Sequence, residues 1–422
     1  MHSQNMPAAG RRRNFVYTFQ VMLRFLTAGE SHGRGLVVIV DGLPAGLSLD
    51  LERLNERLRR RQGGYGRGRR MAIESDRADI MSGVRRGRTT GAPVSLVIEN
   101  KDWVNWQRTM HAAAEMPEGA TGANRAAVVR PRPGHADLAG VLKYELDDVR
   151  DVLERASARE TAARVAAGGL AIQLLEAVGV RLTSHVSGIG EIALPGDRVV
   201  TFEDADALAA DAPLRCVDAA LEARMTARID QAKADGDTLG GTFEVIVRGL
   251  PVGLGSYVQW DRKLDGRLAQ AVMSIQAIKG VGIGLGAESA ARPGSLVHDE
   301  ILPPDDAGRP LRPTNRAGGL EGGVTNGEDL RVVGHMKPIA TLMQPLRSID
   351  LTTLDAAPAA IERSDVCAVP AAAVVAEAMV GFVLADALME RVGGDSLALM
   401  QRHLAATGAV VSGRTRRGAG AR

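Results

Sequence analysis

Hydrophobic positions along the chain fall into patterns that recur in one order. Residues 36–40 (LVVIV) and 243–247 (FEVIV) are short β-branched runs, and each enters a near-identical turn, IVDGLPAGL at 39–47 and IVRGLPVGL at 246–254. Runs of this kind bounded by Gly and Pro read as strands that end in a turn. A stretch of helical period follows each turn, DLERLNERLRR in one place and DRKLDGRLAQAVMSI in the other, and then a glycine-rich segment, RQGGYGRG or KGVGIGLG. One matching strand and turn would be unremarkable. Three elements in the same order indicate an internal duplication, so the expectation is a single α+β domain over residues 22–400 made of two related halves.

Two further helices stand out. SARETAARVAAGGLAIQLLEAVG opens on Ser157 with Glu160 three residues later, the spacing of a capping box. VPAAAVVAEAMVGFVLADALMERVGG carries Pro370 in its first turn and Gly393-Gly394 after its end. That helix is apolar on most faces, which predicts a central, buried position. No uninterrupted apolar stretch reaches the roughly 18 residues of a membrane span, so no membrane association is expected. At the ends, residues 1–21 hold three arginines and no acid, as a transit peptide does. They read equally as sequence upstream of a start at Met22, and they are set apart from the fold as an extension. Residues 401–422, ending VSGRTRRGAGAR, read as a basic, disordered tail.

Composition changes the picture in two ways. Aromatic residues make up only 3% of the 422, so the core must be packed from Ala, Val, Leu and Ile. A formal charge of +2 carries no polyanion-binding signature, yet only six of the 52 basic residues are lysine. Cys216 and Cys367 lie far apart and form neither metal-ligand spacing nor a disulfide framework, which suits a reducing cytosol and predicts a cytoplasmic protein.

Chemistry concentrates in short motifs. GESHG at 29–33 fits the G-x-S-x-G nucleophile elbow, which needs a strand before it and a helix after it. The residues that follow, RGLVVIVDG, read as a strand, so a hydrolase with Ser31 as nucleophile fails on context and His32 is the better candidate. Of eight histidines, only His32 in GESHGRG and His135 in RPRPGHAD sit in glycine-rich, charge-dense segments. A single such histidine is most often a loop residue bonding nearby backbone; two in like settings point to acid–base work near neutral pH. HExxH and other metal spacings are missing, so no metal is expected.

RLRRRQGGYGRGRR at 57–70 gathers seven arginines around a glycine turn. It can be a solvated helix end, an RNA-binding run or an anion pocket. The scarcity of aromatics for base stacking favours the pocket, since guanidinium forks match phosphate and carboxylate. Arg155, Ser157 and Arg159 stand at a helix start that already favours an anion, with Ser157 open between capping the helix and touching a ligand. SIQAIKG (274–280), GGLEGGVTNGE (318–328) and MKPIATL (336–342) look like ligand loops. No Walker motif or helix-opening G-x-G-x-x-G occurs. ERSDVCAVP places Arg363 and Asp365 just before the buried helix, where Asp365 is either a cap or a proton-transfer group.

Taken in order, GESHGRG, RRRQGGYGRG, RPRPGHAD, RASARETAARVAAG, SIQAIKG, LEGGVTNGE, MKPIAT and RSDVCAVP closely resemble the chorismate synthase family, from about Met22 to about Ser396. The resemblance implies a β-α-β sandwich assembled as a homotetramer. It implies conversion of 5-enolpyruvylshikimate 3-phosphate to chorismate and phosphate by anti-1,4-elimination, with reduced FMN required although no net redox change occurs. Carried over by motif, His32 donates a proton to the leaving phosphate, His135 keeps the reduced flavin in its protonation state, and Asp365 takes a proton from the flavin. Arg61, Arg67, Arg132, Arg159 and Arg363 match positions that hold substrate charge, with Arg61 and Arg67 sometimes assigned to NADPH. Arg155, Ala156, Ser157, Gln276, Ala277, Gly322, Lys337, Pro338, Ile339, Ala340, Thr341 and Arg363 match the flavin-contacting motifs. Ser364 stands where many relatives have histidine, so no role of that histidine transfers. No added reductase domain is visible, which favours an external flavin reductase. The rival expectation is an arginine-rich RNA-binding protein, carried by residues 57–70 and the basic tail.

Overall fold

The computed structural model describes residues 23–68, 75–196, 198–305, 310–362 and 364–417. The extension at 1–21, Arg69, Arg70 and Arg363 therefore lie outside the described residues.

The first half runs β1 (Arg24–Ala28), β2 (Gly35–Asp41), α1 (Leu51–Gln62), β3 (Ala78–Ser82), β4 (Val94–Glu99), two short helices α2 (Asp137–Tyr144) and α3 (Arg150–Ala156), then α4 (Thr161–Glu176). The second half runs β5 (Arg181–Ile189), β6 (Ile192–Ala193), α5 (Phe202–Asp206), α6 (Ala219–Ala234), β7 (Gly241–Arg248), α7 (Leu264–Met273), β8 (Ile278–Ile283), β9 (Leu330–Met336), α8 (Val369–Val392) and α9 (Leu397–Arg417). The first sheet has the order β1-β2-β4-β3, and the second, read from its matching strand, β5-β7-β9-β8 with the small β6 added outside β5. Every one of these neighbours is antiparallel. The two halves share one topology, as the repeated strand, turn and helix require. Gly42 and Gly249 sit at the same point of the repeat with φ of +96° and +87°, a backbone region that side-chain-bearing residues rarely enter. The third repeated segment diverges: RQGGYGRG ends α1 and continues as a loop, whereas KGVGIGLG contributes the edge strand β8.

Helices fill the space between the sheets. α4 packs on β2 and on α8, and α8 packs on β5 and β7, which makes the β-α-β sandwich. α4 and α8 cross closely because Gly168 meets Ala378: a Cβ on Gly168 would lie 2.4 Å from the Ala378 Cβ. Among the described residues α8 alone is long and apolar enough to cross a membrane, but 94% of its apolar window is buried inside the fold, so it is the core helix. One carboxylate interrupts its apolar surface. Glu377 accepts hydrogen bonds from both terminal nitrogens of Arg60 (2.7 and 3.0 Å), from Arg57 (3.2 Å) and from the Ser184 hydroxyl (2.5 Å). Burial would raise its pKa, but the charges of Arg60 and Arg57 outweigh it and hold the carboxyl down to about 2. Arginines that the composition offered to RNA are thereby turned inward, and the RNA-binding expectation loses its main support.

Two expectations need correction. Ser157 accepts from the Arg159 N–H at 3.2 Å, but Glu160 does not close a capping box. Its carboxylate instead accepts from Thr27 Oγ1 (2.8 Å) and Arg164 Nε (2.8 Å), and a 3₁₀ turn at Ala158–Glu160 precedes α4. A charged partner one turn ahead outcompetes the neutral N–H of a cap. The disordered tail expected from residue 401 is helical to Arg417. Met400 is fully buried, and His403 Nδ1 lies 2.6 Å from the Val392 carbonyl, which anchors the start of α9 to the end of α8.

Candidate active site

The loop from β1 to β2 carries GESHG and lies against the end of α3. Ser31 is 3% exposed, its N–H bonds the Glu154 carbonyl at 2.9 Å, and a strand follows it rather than a helix, so it is no nucleophile elbow. His32 is gripped on two sides. Its Nδ1 lies 2.9 and 3.0 Å from the two carboxylate oxygens of Glu154, and its backbone N–H donates to Glu154 Oε2 at 2.8 Å. Its ring stacks on Trp106, with centroids 3.7 Å apart and planes 21° from parallel. Arg125 covers Trp106 at 4.1 Å, and Arg150 Nη1 stands 3.6 Å from Glu154.

His135 repeats the arrangement with local partners. Its Nδ1 lies 2.5 Å from Asp137 Oδ1, and Asp137 also accepts from Arg132 Nε (2.8 Å) and Nη2 (3.1 Å). Burial works against charge on Asp137, yet the bonds from His135 and Arg132 prevail and hold its carboxyl well below the usual carboxylate range. Arg132 Nη1 continues to Thr341 Oγ1 at 3.0 Å.

A line of contacts joins the two histidines. Beyond Ser157, whose hydroxyl bonds Ser31 Oγ at 3.2 Å, Glu160 accepts from Gln276 Nε2 at 3.3 Å. Ala277, at φ +67°, gives its carbonyl to the Lys337 N–H at 2.9 Å, and Lys337 Nζ reaches the Gly134 carbonyl beside His135. Burial and the like charge of Lys279 lower the pKa of Lys337. From Thr341 the line runs through Ser364 Oγ (3.2 Å to the Thr341 carbonyl) to Asp365. Asp365 accepts from the Gly68 N–H at 2.7 Å and faces Arg67 at 2.7 Å. It ties down the glycine loop and does not cap α8, whose first turn has no side-chain cap. Thr238 holds the Ile339 carbonyl at 2.8 Å, which fixes the run from Pro338 to Ala340. Gly322 is left-handed (φ +61°), in the hairpin after Gly318-Gly319.

Two of the five arginines expected to hold substrate charge stand apart from this line. Arg61 bonds Thr161 Oγ1 (2.8 Å), Asp76 (3.2 Å) and the Ala158 carbonyl (3.0 Å), and Arg159 pairs with the same Asp76. Both are buried and brace the start of α4. Arg155 is a brace of another kind, donating to Thr27 Oγ1 (2.8 Å) and the carbonyls of Thr27 and Gly29. A cavity of about 430 Å³ opens beside it, lined by Phe25, Thr27, Arg155, Glu160, Arg164 and Gln276 among others, with neither histidine in its lining. Gln276 Oε1 is buried with no hydrogen-bond partner. An acceptor so placed, between a left-handed Ala277 and a cavity with a cationic wall, suits a planar ligand that offers ring N–H groups and carries negative charge.

The model of the chorismate synthase family matches residues 23–389, a span that contains both histidine motifs and Asp365. The chain belongs to the chorismate synthase family. The chorismate synthase of Moorella thermoacetica is 58% identical over 387 residues, 91% of this chain and 98% of that one. That of Solibacter usitatus is 54% identical over 384 residues, 90% and 97% of the two chains. A solved chorismate synthase structure matches with a TM-score of 0.74 at 41% identity, covering 93% of this chain and 98% of that chain. As a chorismate synthase family member the chain is a lyase of the shikimate pathway.

Several residues of the site were not singled out from the sequence. Asp137 was within reach, two residues after His135 in a quoted motif. Glu154 and Asp76 were not, because they meet His32 and Arg159 across 122 and 83 residues, and Glu160 was read only as a cap partner. Trp106 had one signal, its rarity in a chain with three tryptophans.

Proposed function

We propose that this chain converts 5-enolpyruvylshikimate 3-phosphate to chorismate and phosphate by anti-1,4-elimination, with reduced FMN bound. The observation that carries the reading is the pair of histidines, each fixed through Nδ1 by a buried carboxylate and joined by one line of contacts through the loops at 274–280 and 336–342. When bound, reduced FMN supplies an electron to the breaking C–O bond and regains it, so the sum carries no redox change. The protein's part is position and protons. His32, committed at Nδ1, exchanges its proton at Nε2, toward the phosphate oxygen that leaves. Asp365 takes a proton on the flavin side, and its bonds to Gly68 and Arg67 hold it in place. Arg67 and Arg132 answer the substrate's negative charge, and Arg363 joins them by motif. Arg155, Ala156, Ser157, Gln276, Ala277, Gly322 and the run Lys337 to Thr341 hold FMN, with the Gln276 acceptor on a ring N–H. His135 keeps the proton balance on the flavin side.

Arg61, braced on Thr161, Asp76 and Ala158, supports reduction of FMN by a separate reductase rather than by NADPH bound here. Leu26 (73% exposed) and Ile39 (42%) face each other across β1 and β2 on the outer side of the first sheet, an apolar patch that supports a homotetramer. The enzyme works in the cytoplasm. The test is an anaerobic assay with dithionite-reduced FMN and 5-enolpyruvylshikimate 3-phosphate. Equal amounts of chorismate and phosphate are expected, and none with oxidised FMN; a folded protein that yields neither product overturns the reading.

A further inference from the structure

We infer that Glu154 is the positioning residue of His32, fixing the imidazole as the Nδ1–H tautomer so that Nε2 is the atom that exchanges the catalytic proton. The inference deepens the proposed function and rests on it for the identity of the reaction, but not for the geometry. Glu154 lies on α3, 122 residues from His32, and its side chain is 1% exposed. Its carboxylate meets two donors of the same residue, the backbone N–H at 2.8 Å and Nδ1 at 2.9 to 3.0 Å. An ionised carboxylate can only accept, so Nδ1 carries hydrogen. A neutral imidazole then has its lone pair on Nε2, and a cationic one has its second proton there. The second grip removes the remaining freedom. Trp106 stacks on the ring at 3.7 Å, so rotation that would bring Nε2 to Glu154 is blocked by a face-on contact. The backbone of the same loop is pinned independently, by the Ser31 N–H on the Glu154 carbonyl and by Asn100 Nδ2 on the carbonyls of Ser31 (3.2 Å) and Gly33 (2.9 Å). Loop position therefore does not depend on the Glu154 side chain alone, which separates orientation of the ring from folding of the loop. Glutamine at 154 cannot replace the carboxylate: it has one acceptor oxygen for two donors, and its NH₂ would face either Nδ1 or the backbone N–H.

The test reads His32 directly, by long-range ¹H–¹⁵N spectra of ¹⁵N-histidine protein at high pH, with His32→Asn used only to assign the signal. In the native protein the proton sits on Nδ1, against the Nε2–H form that a free neutral imidazole prefers. In Glu154→Gln the Nδ1–H preference is lost, kcat falls at least about tenfold out of the 10² to 10⁴ that a placed acid contributes, and KM for the substrate changes little; Glu154→Asp recovers part of kcat. A native protein with the proton on Nε2 overturns the inference, even if Glu154→Gln fails to fold. So does Glu154→Gln with native kcat and native tautomer. Native Nδ1–H in a protein that makes no chorismate upholds the positioning and sinks the proposed reaction instead.

Discussion

His32 and His135 make the same first contact and sit in different surroundings. Each presents Nδ1 to a carboxylate that is 1% exposed. For His135 the carboxylate is two residues away and is shared with Arg132, which gives it two bonds of its own. For His32, in a loop, the carboxylate comes from α3, 122 residues on, and the guanidinium of Arg150 stands 3.6 Å off. The histidine motif at 132–137 can therefore assemble within one turn of chain, with its charge already balanced. The motif at 29–33 exists as a site only after β1, β2 and α3 have packed. The lesson is that two histidines can share one contact and still differ in the neighbouring cation, a difference that suits the two separate proton roles proposed for them.

This contrast can be broken by mutation. The largest effect is expected for His32→Asn, which removes the proposed proton donor: kcat for chorismate falls about 10² to 10³ fold, read in anaerobic single turnovers. If activity survives within a few-fold, the assignment of His32 fails. Asp137→Asn should cost less in rate, about tenfold, because Arg132 still approaches His135. It should cost more in stability, about 3 kcal/mol, since Arg132 loses a buried partner; chemical denaturation separates the two effects.

The same Asp137 sharpens the contrast through pH. Its carboxyl is held below the ordinary value of 3.8, so stability rises with pH wherever the unfolded chain binds a proton there and the folded one does not. That contribution is complete above about pH 4 to 5 and is lost as pH falls further. The melting temperatures of native protein and Asp137→Asn should differ most near neutrality and converge below pH 4. Equal gaps at pH 3 and pH 7 would place the stabilisation elsewhere. The smallest effect is expected for Trp106→Leu, which keeps the Glu154 contact and loses the stack, about threefold in kcat. A loss as large as that of His32→Asn would mean that the stack, not the carboxylate, sets the ring.

What could be read along the chain was whatever repeats or lies close together. The turns after residues 41 and 248, the helix from Pro370 to Gly393 and the carboxylate two residues after His135 are all local patterns, since hydrophobic period and turn chemistry act over a few residues. The eight ordered motifs named most of the segments joined in that line of contacts. Arg61 and Arg159 show the limit of that reading. Both match ligand-binding positions, yet the fold turns them onto Asp76, because a buried carboxylate elsewhere in the chain is the nearer charge. Glu160 fits a capping box by spacing and bonds Thr27 instead.

The sequence by itself determined the duplication, the buried central helix, the family and the candidate histidines. Only the tertiary structure decided which carboxylate serves which histidine, which arginines brace the scaffold and that α9 continues past residue 401. The physical reason is range. A strand or cap is selected by neighbours in the chain, whereas an ion pair buried between α1 and α8 is selected by what packing leaves within 3 Å, and sequence spacing carries no record of that distance.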